Sequence, residues 1–467
     1  MFPVVFEEAA TVARRLGIQY LWIDTICIIQ DDKQDWETEA AKMADIFEDA
    51  TITIAASSSP DPTVSFLGLR PLSFRDIQLN HEFRDENQTV LFKARRRISL
   101  GMHAKSHQTT GVDPLDSRAW GLQEKELSTR LISFTGAEIQ WKCQQQLLCE
   151  CQNTSFPLKN IFRSHPTPLD GNRNDECFKE WHKIVQKYTS RNLTLIADRI
   201  PALAGLATKF SAVAGATYMA GLWKENLLQD LSWQRDARTP LEIVPRYLGP
   251  SYSWVSIAGS SDYALARDAY PGTMVQHSSI TNSHCETIGS GASGLVTGGS
   301  LTVRGPTITA RLCSADFENG QSYTLQIGDM FFTPGTFQRG TCEFSVDTIL
   351  EHSPTEHNTM EQTEEPTLQR AIGMCNSTIV NGVVKLFSLY TISHPEYVYG
   401  NFLMLGKSRT QKDAYERIGV GTGKIYRKDG CTDRVSEHTG PFEWLGAAFG
   451  SMRAQVDAAL IEDMVIS

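Results

Sequence analysis

The first sixty residues change their apolar period several times, and each change predicts an element. Val5, Ala9, Val12, Ala13 and Leu16 recur at helical spacing. With Pro3 suited to a first turn and Gly17 to a C-terminal cap, they predict a helix over 3–16. A short apolar run, Tyr20-Leu21-Trp22-Ile23, then stops at Asp24. That is the pattern of a buried strand whose last residue emerges at the sheet edge. Trp36, Ala40, Met43, Ile46 and Phe47 return to helical spacing with one wet face. Thr51 to Ala55 alternates with period two and is rich in β-branched residues, which predicts a second strand. Strand, helix and strand over about 35 residues predict a right-handed parallel crossover. Asp24, Cys27 and the Gln30-Asp31-Asp32 loop would then lie beyond the carboxyl ends of the strands, where such sheets bind ligands.

Further on, short strand-like pieces fall near 75–83 and 88–94. Asp116 to Ser128 reads as a helix capped by Asp116 or Ser117. Leu131 to Phe134 and Glu138 to Cys143 read as two strands. Residues 152–174 are rich in Pro, Asn and Arg and make the best first boundary. Helical periodicity returns from Glu176 to Tyr188, from Ile200 to Phe210 and from Tyr218 to Leu231. Beyond Ser251, strand-like runs dominate (301–303, 307–312, 323–327, 379–386 and 402–405), punctuated by Gly and Pro, which predicts an antiparallel β region. His352 to Thr367 reads as a loop. The expected organisation is an α/β domain over 1–151, a linker over 152–174, a helical segment over 175–250 and a β-rich domain over 251–467, α+β overall.

Composition narrows the class. The chain has 467 residues, 41% of them hydrophobic and 21% charged, so a packed core is expected rather than disorder. Its net charge of −10, with no basic run longer than Arg95-Arg96-Arg97, argues against a nucleic-acid-binding surface. No apolar run approaches the roughly 18 residues of a membrane span. Met1 to Glu8 is too acidic for a signal peptide, so a soluble cytoplasmic protein is expected. Ten scattered cysteines do not suggest a disulfide framework.

The predicted crossover carries an ordered string: Leu21-Trp22-Ile23-Asp24, Cys27-Ile28-Ile29-Gln30-Asp31-Asp32, Asp35-Trp36, Glu39, Met43, Ile46-Phe47 and Ala50. Together these residues resemble the core of the fungal heterokaryon-incompatibility (HET) domain. Arg118, Trp120, Leu122-Gln123-Glu124, Leu127-Ser128, Arg130, Phe134, Gln140-Trp141 and Cys143 resemble the pattern with which such domains close. Text around Trp181 to Ala207 and Pro250 to Trp254 resembles the helical segment that comes after many HET domains. The resemblance implies non-self recognition and programmed cell death in a fungus. HET domains are distantly similar to TIR domains, some of which cleave NAD with a glutamate on a comparable helix, and this points to Glu39. They also open with a Tyr-x-x-Leu-Ser-Tyr-x-Trp-Gly-like strand that has no counterpart after Met1, a departure that counts against NAD cleavage.

Candidate chemistry gathers on the same residues. Asp24 and Glu39 could converge at one cleft mouth as acid and base, and Arg118 could hold a substrate carboxylate or phosphate. Trp36, Trp120, Gln123 and Glu124 would line the cleft. The plainer alternative has Glu39 capping its own helix, Asp24 binding turn amides, and Arg118 with Gln123 and Glu124 tying a helix to the sheet. The tryptophans, Trp22 and Trp141 among them, read first as core. A second function therefore stands beside cell death: a cofactor-independent cyclase or pericyclase of fungal secondary metabolism, which needs mainly shape and a few polar groups. Partners would be a small-molecule substrate or a protein. Cys143, Cys149 and Cys151 lack a second metal hook, so no metal and no cofactor is expected. Gly289 to Gly294 spells G-x-G-x-x-G, but no helix follows it to receive a pyrophosphate.

Overall fold

A computed structural model of the chain describes residues 2–70, 75, 77–83, 88–94, 113–150, 156–157, 171–242, 244, 246–263, 273–288, 294–317, 320–328, 330–332, 334–337, 340–352, 367–370, 381–426 and 460–467. It is mixed α/β, with a β-rich C-terminal region. The chain divides into two compact units. One comprises 1–167, 191–194 and 202–213, and the other 168–190, 195–201 and 214–467.

The first unit opens with helix α1, Val4–Arg15, entered through Pro3 and left through Gly17 at a φ of +72°. The apolar run Tyr20-Leu21-Trp22-Ile23 is not the expected strand. Ile23 has extended dihedrals, yet Tyr20 is 87% exposed, and the segment joins no ladder among the described residues. Extended backbone becomes a strand only when a neighbour takes up its N–H and C=O groups. The turn α2, Asp24–Cys27, follows directly, then α3, Lys33–Asp49, capped by Asp32. Strand β1, Thr53–Ala55, pairs in parallel with Leu131, Ile132 and Ser133, so the expected 20–55 crossover does not form. The hairpin β2, Ile77–Phe83, and β3, Gln88–Ala94, is a separate two-stranded sheet.

The expected helix from Asp116 to Ser128 is interrupted. A 3-10 turn covers Pro114–Ser117, Arg118 bridges to Asn192, and α4, Trp120–Leu127, begins without a side-chain cap. Then β4, Arg130–Phe134, β5, Ile139–Cys143, β6, Gln146–Cys149, and β7, Phe156–Pro157, complete a sheet of order β1-β4-β5-β6-β7. Only its β1–β4 pair is parallel, so it is not a doubly wound sheet. Helix α5, Gly171–Thr189, belongs to the second unit, and α6, Pro201–Ala214, lies almost wholly in the first.

In the second unit, the expected helix over 218–231 is instead a tight hairpin, β8, Tyr218–Met219, and β9, Leu222–Trp223, followed by the short α7, Leu227–Asp230. The turn takes a φ of +47° at Ala220 and +94° at Gly221, which no helix accommodates. A small pair, β10, Gln234–Arg235, and β11, Ser261–Asp262, precedes the main sheet. Eleven strands form that sheet among the described residues. They include β12, Thr273–Gln276, β13, Ser279–Ile288, β14, Leu295–Phe317, β15, Gly320–Ile327, β16, Met330–Phe332, β17, Gly335–Phe337, and β18, Gly340–Val346. After a separate pair, β19, Leu350–His352, and β20, Leu368–Arg370, come β21, Asn381–Ser393, β22, Tyr397–Lys407, β23, Tyr415–Tyr426, and β24, Leu460–Ile466. Leu312, Leu325, Phe332, Leu386, Phe402 and Ile418 fill one core against this sheet.

Two buried polar knots pin the second unit. Arg417 is fully buried: its Nε donates to Asp347 Oδ2 at 2.8 Å, its Nη1 to Leu231 O at 2.6 Å and its Nη2 to Trp233 O, over whose ring the guanidinium lies at 3.6 Å. His182 meets Asp230 at 2.7 Å and stacks on Tyr263 at 3.8 Å. No helix of the described residues is long and apolar enough to cross a membrane.

Candidate functional site

The loop from Asp24 to Asp35 is held by its own side chains. Asp24 Oδ1 accepts from Thr25 N–H at 2.7 Å, and Gln30 donates to the Asp24 and Ile28 carbonyls at 3.2 and 3.0 Å. Asp35 accepts from Ile29 N–H at 2.8 Å, and Asp32 caps α3 through Gln34 N–H at 2.8 Å. These local bonds set Asp24 at the start of α2, partly buried. Asp24 does bind a turn amide, as the plainer alternative expected, and Asp32 rather than Glu39 caps the helix.

Helix α4 brings Glu124 into the same electrostatic neighbourhood. Its carboxyl is pushed up to about 7, first by burial and then by the charge of Asp24, while Arg118, Lys125 and Arg191 pull it back. By surface area Glu124 is only partly buried, but its carboxyl sits among densely packed atoms, and that density sets the desolvation. Lys125 is occupied by Asp116 at 2.6 Å and Ser57 Oγ at 3.0 Å. Arg191 donates to the Arg118 carbonyl at 3.1 Å and lies 3.7 Å from Asp116. Arg118 itself is exposed and enters no side-chain hydrogen bond or ion pair among the described residues. Trp36 and Trp120 meet edge to face, with centroids 6.3 Å apart at 88°, and join α3 to α4.

Of the residues singled out from the sequence, Asp24 and Arg118 act electrostatically on Glu124, and Trp36 packs against Trp120. Glu39 and Gln123 are engaged elsewhere. Glu39 accepts from Lys42 Nζ at 2.8 Å one turn along its own helix, and its charge is not among those acting on Glu124. Gln123 is 2% exposed, and its Oε1 accepts from Gly205 N–H at 2.8 Å, so it joins α4 to α6. Sequence reading missed Arg191, which lies 67 positions after Glu124 in a stretch without periodic pattern, and no local signal marks it.

Elsewhere, Cys149 is disulfide-bonded and so offers no thiolate, whereas Cys143 is a free thiol held below its ordinary value by the backbone amide of Gln145. No group of three metal-ligating side chains occurs among the described residues. Cys151, residues 289–293 of the glycine-rich motif and residues 353–366 of the expected loop lie outside the described residues.

Chemically, a carboxyl titrating near neutrality can both give and take a proton. A second carboxyl and an exposed guanidinium beside it suit an anionic or polar reactant. No curated protein and no solved structure matches this chain. Residues 1–124, which span α1 to α3 and end on Glu124 itself, match the family model described as Heterokaryon incompatibility protein (HET). Over these first 124 residues the chain is similar to that family.

Proposed function

We propose that this chain is a HET-domain effector of fungal non-self recognition, whose action arrests or kills the cell that makes it. The match of residues 1–124 to the HET family carries this reading. The action of Asp24 and Arg118 on Glu124 supports it, because Asp24 lies 94 positions before Arg118 and the two strings that resemble the family thereby share one neighbourhood. In this reading Glu124 exchanges a proton near neutral pH, Asp24 tunes it, and Arg118 orients an anionic group of substrate or partner. Glu39, tied to Lys42, gives the NAD-cleaving version the least support.

A second reading, a cofactor-independent small-molecule enzyme such as a cyclase or pericyclase, draws on one observation. The Glu124 carboxyl forms no hydrogen bond among the described residues, which leaves it free for a reactant. Induced expression in a filamentous fungal host separates the two. The effector reading expects growth to collapse with the parent chain and to persist with Arg118→Ala and Glu124→Gln at matched protein levels. Normal growth with abundant parent protein would overturn it in favour of the enzyme.

A further inference from the structure

Between α1 and α2 lies a stretch of backbone without a sheet. No backbone N–H or C=O group of Gln19 to Trp22 enters a hydrogen bond among the described residues. The stretch is nevertheless held at both ends. Ile18 N–H donates to Ala13 O at 2.9 Å, and Ile23 O accepts from Ile26 N–H at 3.0 Å and from Cys27 N–H at 2.8 Å. Between these anchors the Trp22 ring meets that of Phe47 on α3 edge to face, with centroids 5.8 Å apart. A segment pinned in this way has less chain entropy left to lose when another strand joins it.

Unpaired N–H and C=O groups in a row are a template for a second strand, and proteins that avoid such pairing place Lys or Pro there. Ile18-Gln19-Tyr20-Leu21-Trp22-Ile23 contains neither. It is rich instead in residues that suit a strand. Tyr20 and Leu21 are exposed, and so are Ile26 and Ile29 just beyond.

The charges on either side select the partner. Ahead of the stretch, Arg14 and Arg15 are exposed and enter no ion pair among the described residues. After it, Asp31 is exposed and equally unpaired, with Asp24 and Asp32 flanking it in the chain. A second copy laid antiparallel brings the basic end of each chain toward the acidic end of the other, at both ends of the pair. A parallel copy would bring like charges together. The antiparallel pair also has a two-fold axis, so association closes at the dimer.

We infer that Tyr20 to Ile23 is a homodimerisation edge, across which two copies of this chain pair as antiparallel strands. A ladder this short buries less than the roughly 1,200 Å² of a stable interface, so the dimer is transient and depends on concentration. Sedimentation velocity of the full chain from about 10 µM to about 1 mM covers the range in which weak interfaces fill. The mass should rise toward two chains and stop there. Leu21→Pro removes an N–H from the middle of the edge and should weaken the dimer by about tenfold or more. Arg14→Glu with Arg15→Glu leaves the edge intact and should weaken it by about tenfold, as should Asp31→Lys. Mixing these two charge-reversed chains should restore dimers, because each end then joins opposite charges again. A single-chain mass throughout, a mass that climbs past two chains, a dimer indifferent to Leu21→Pro, or no recovery in the mixture would each overturn the assignment.

Discussion

Replacing Glu124 by Gln should make the protein more stable in mild alkali and leave it almost unchanged in acid. In the folded chain this carboxyl holds its proton up to about 7, against an ordinary value of 4.5. Between those values the folded state binds more protons than the unfolded one, so stability falls as pH rises through the interval. The contribution is fully present below about 4.5 and gone above about 7. The difference corresponds to about 3 kcal/mol, and solvent at the exposed edge of the residue trims it to about 2 kcal/mol. Gln has the same shape and no charge to desolvate. Urea melts of both chains should therefore coincide near pH 4.5 and separate by about 1 M in midpoint near pH 8.5, taking a slope of about 2 kcal/mol per molar. Parallel pH profiles for parent and variant would refute the reasoning, since the carboxyl would then not be held protonated by its surroundings.

Other outcomes rest on the same geometry. Gly205→Ala places a Cβ 2.7 Å from that of Ala44 and 2.8 Å from Gln123 Oε1, so overpacking should destabilise by about 1–3 kcal/mol. Helix propensity alone would stabilise by about 1 kcal/mol, so the sign of the change in a denaturant melt decides. Arg417→Met strands Asp347 in the interior and should cost about 3–5 kcal/mol in thermal melts, whereas Arg417→Met with Asp347→Leu should recover most of it. His277, bonded to Thr391 Oγ1 at 2.9 Å, is held below its ordinary 6.5 by burial. The unfolded chain then takes up its proton first, so this contribution is present above 6.5 and lost as pH falls. His277→Gln should flatten that acid-side loss, as read by melts between about pH 7 and pH 5.

Period and turn chemistry told most where an element's own residues decide it. The Val5 to Leu16 spacing gave α1, the Trp36 to Phe47 spacing gave α3, and the strand read at Glu138 to Cys143 forms as β5. They told least where a partner decides it. Tyr20 to Ile23 is apolar enough for a strand and finds no ladder, while Thr53 to Ala55 pairs with residues almost eighty positions on. The apolar text of 218–231 reads as a helix until Ala220 and Gly221 force a tight turn. At the site, residue types were legible and roles were not. Glu39 and Glu124 look alike in sequence, and only the lysine beside one and the packing around the other separate them.

The interleaving of the two units has a consequence for synthesis. The stretch matching the family ends at Glu124, yet β1 has its ladder partner at 130–134, and Gln123 is covered by Gly205 on α6. At roughly 5–20 residues per second, the ribosome needs on the order of ten seconds to travel from Glu124 to the end of that helix. Throughout that interval the α4 face lies open, and a stretch of the other unit emerges before the first is complete. A nascent chain in this state is a natural client for chaperones, and the time it spends there is written into the order of its segments.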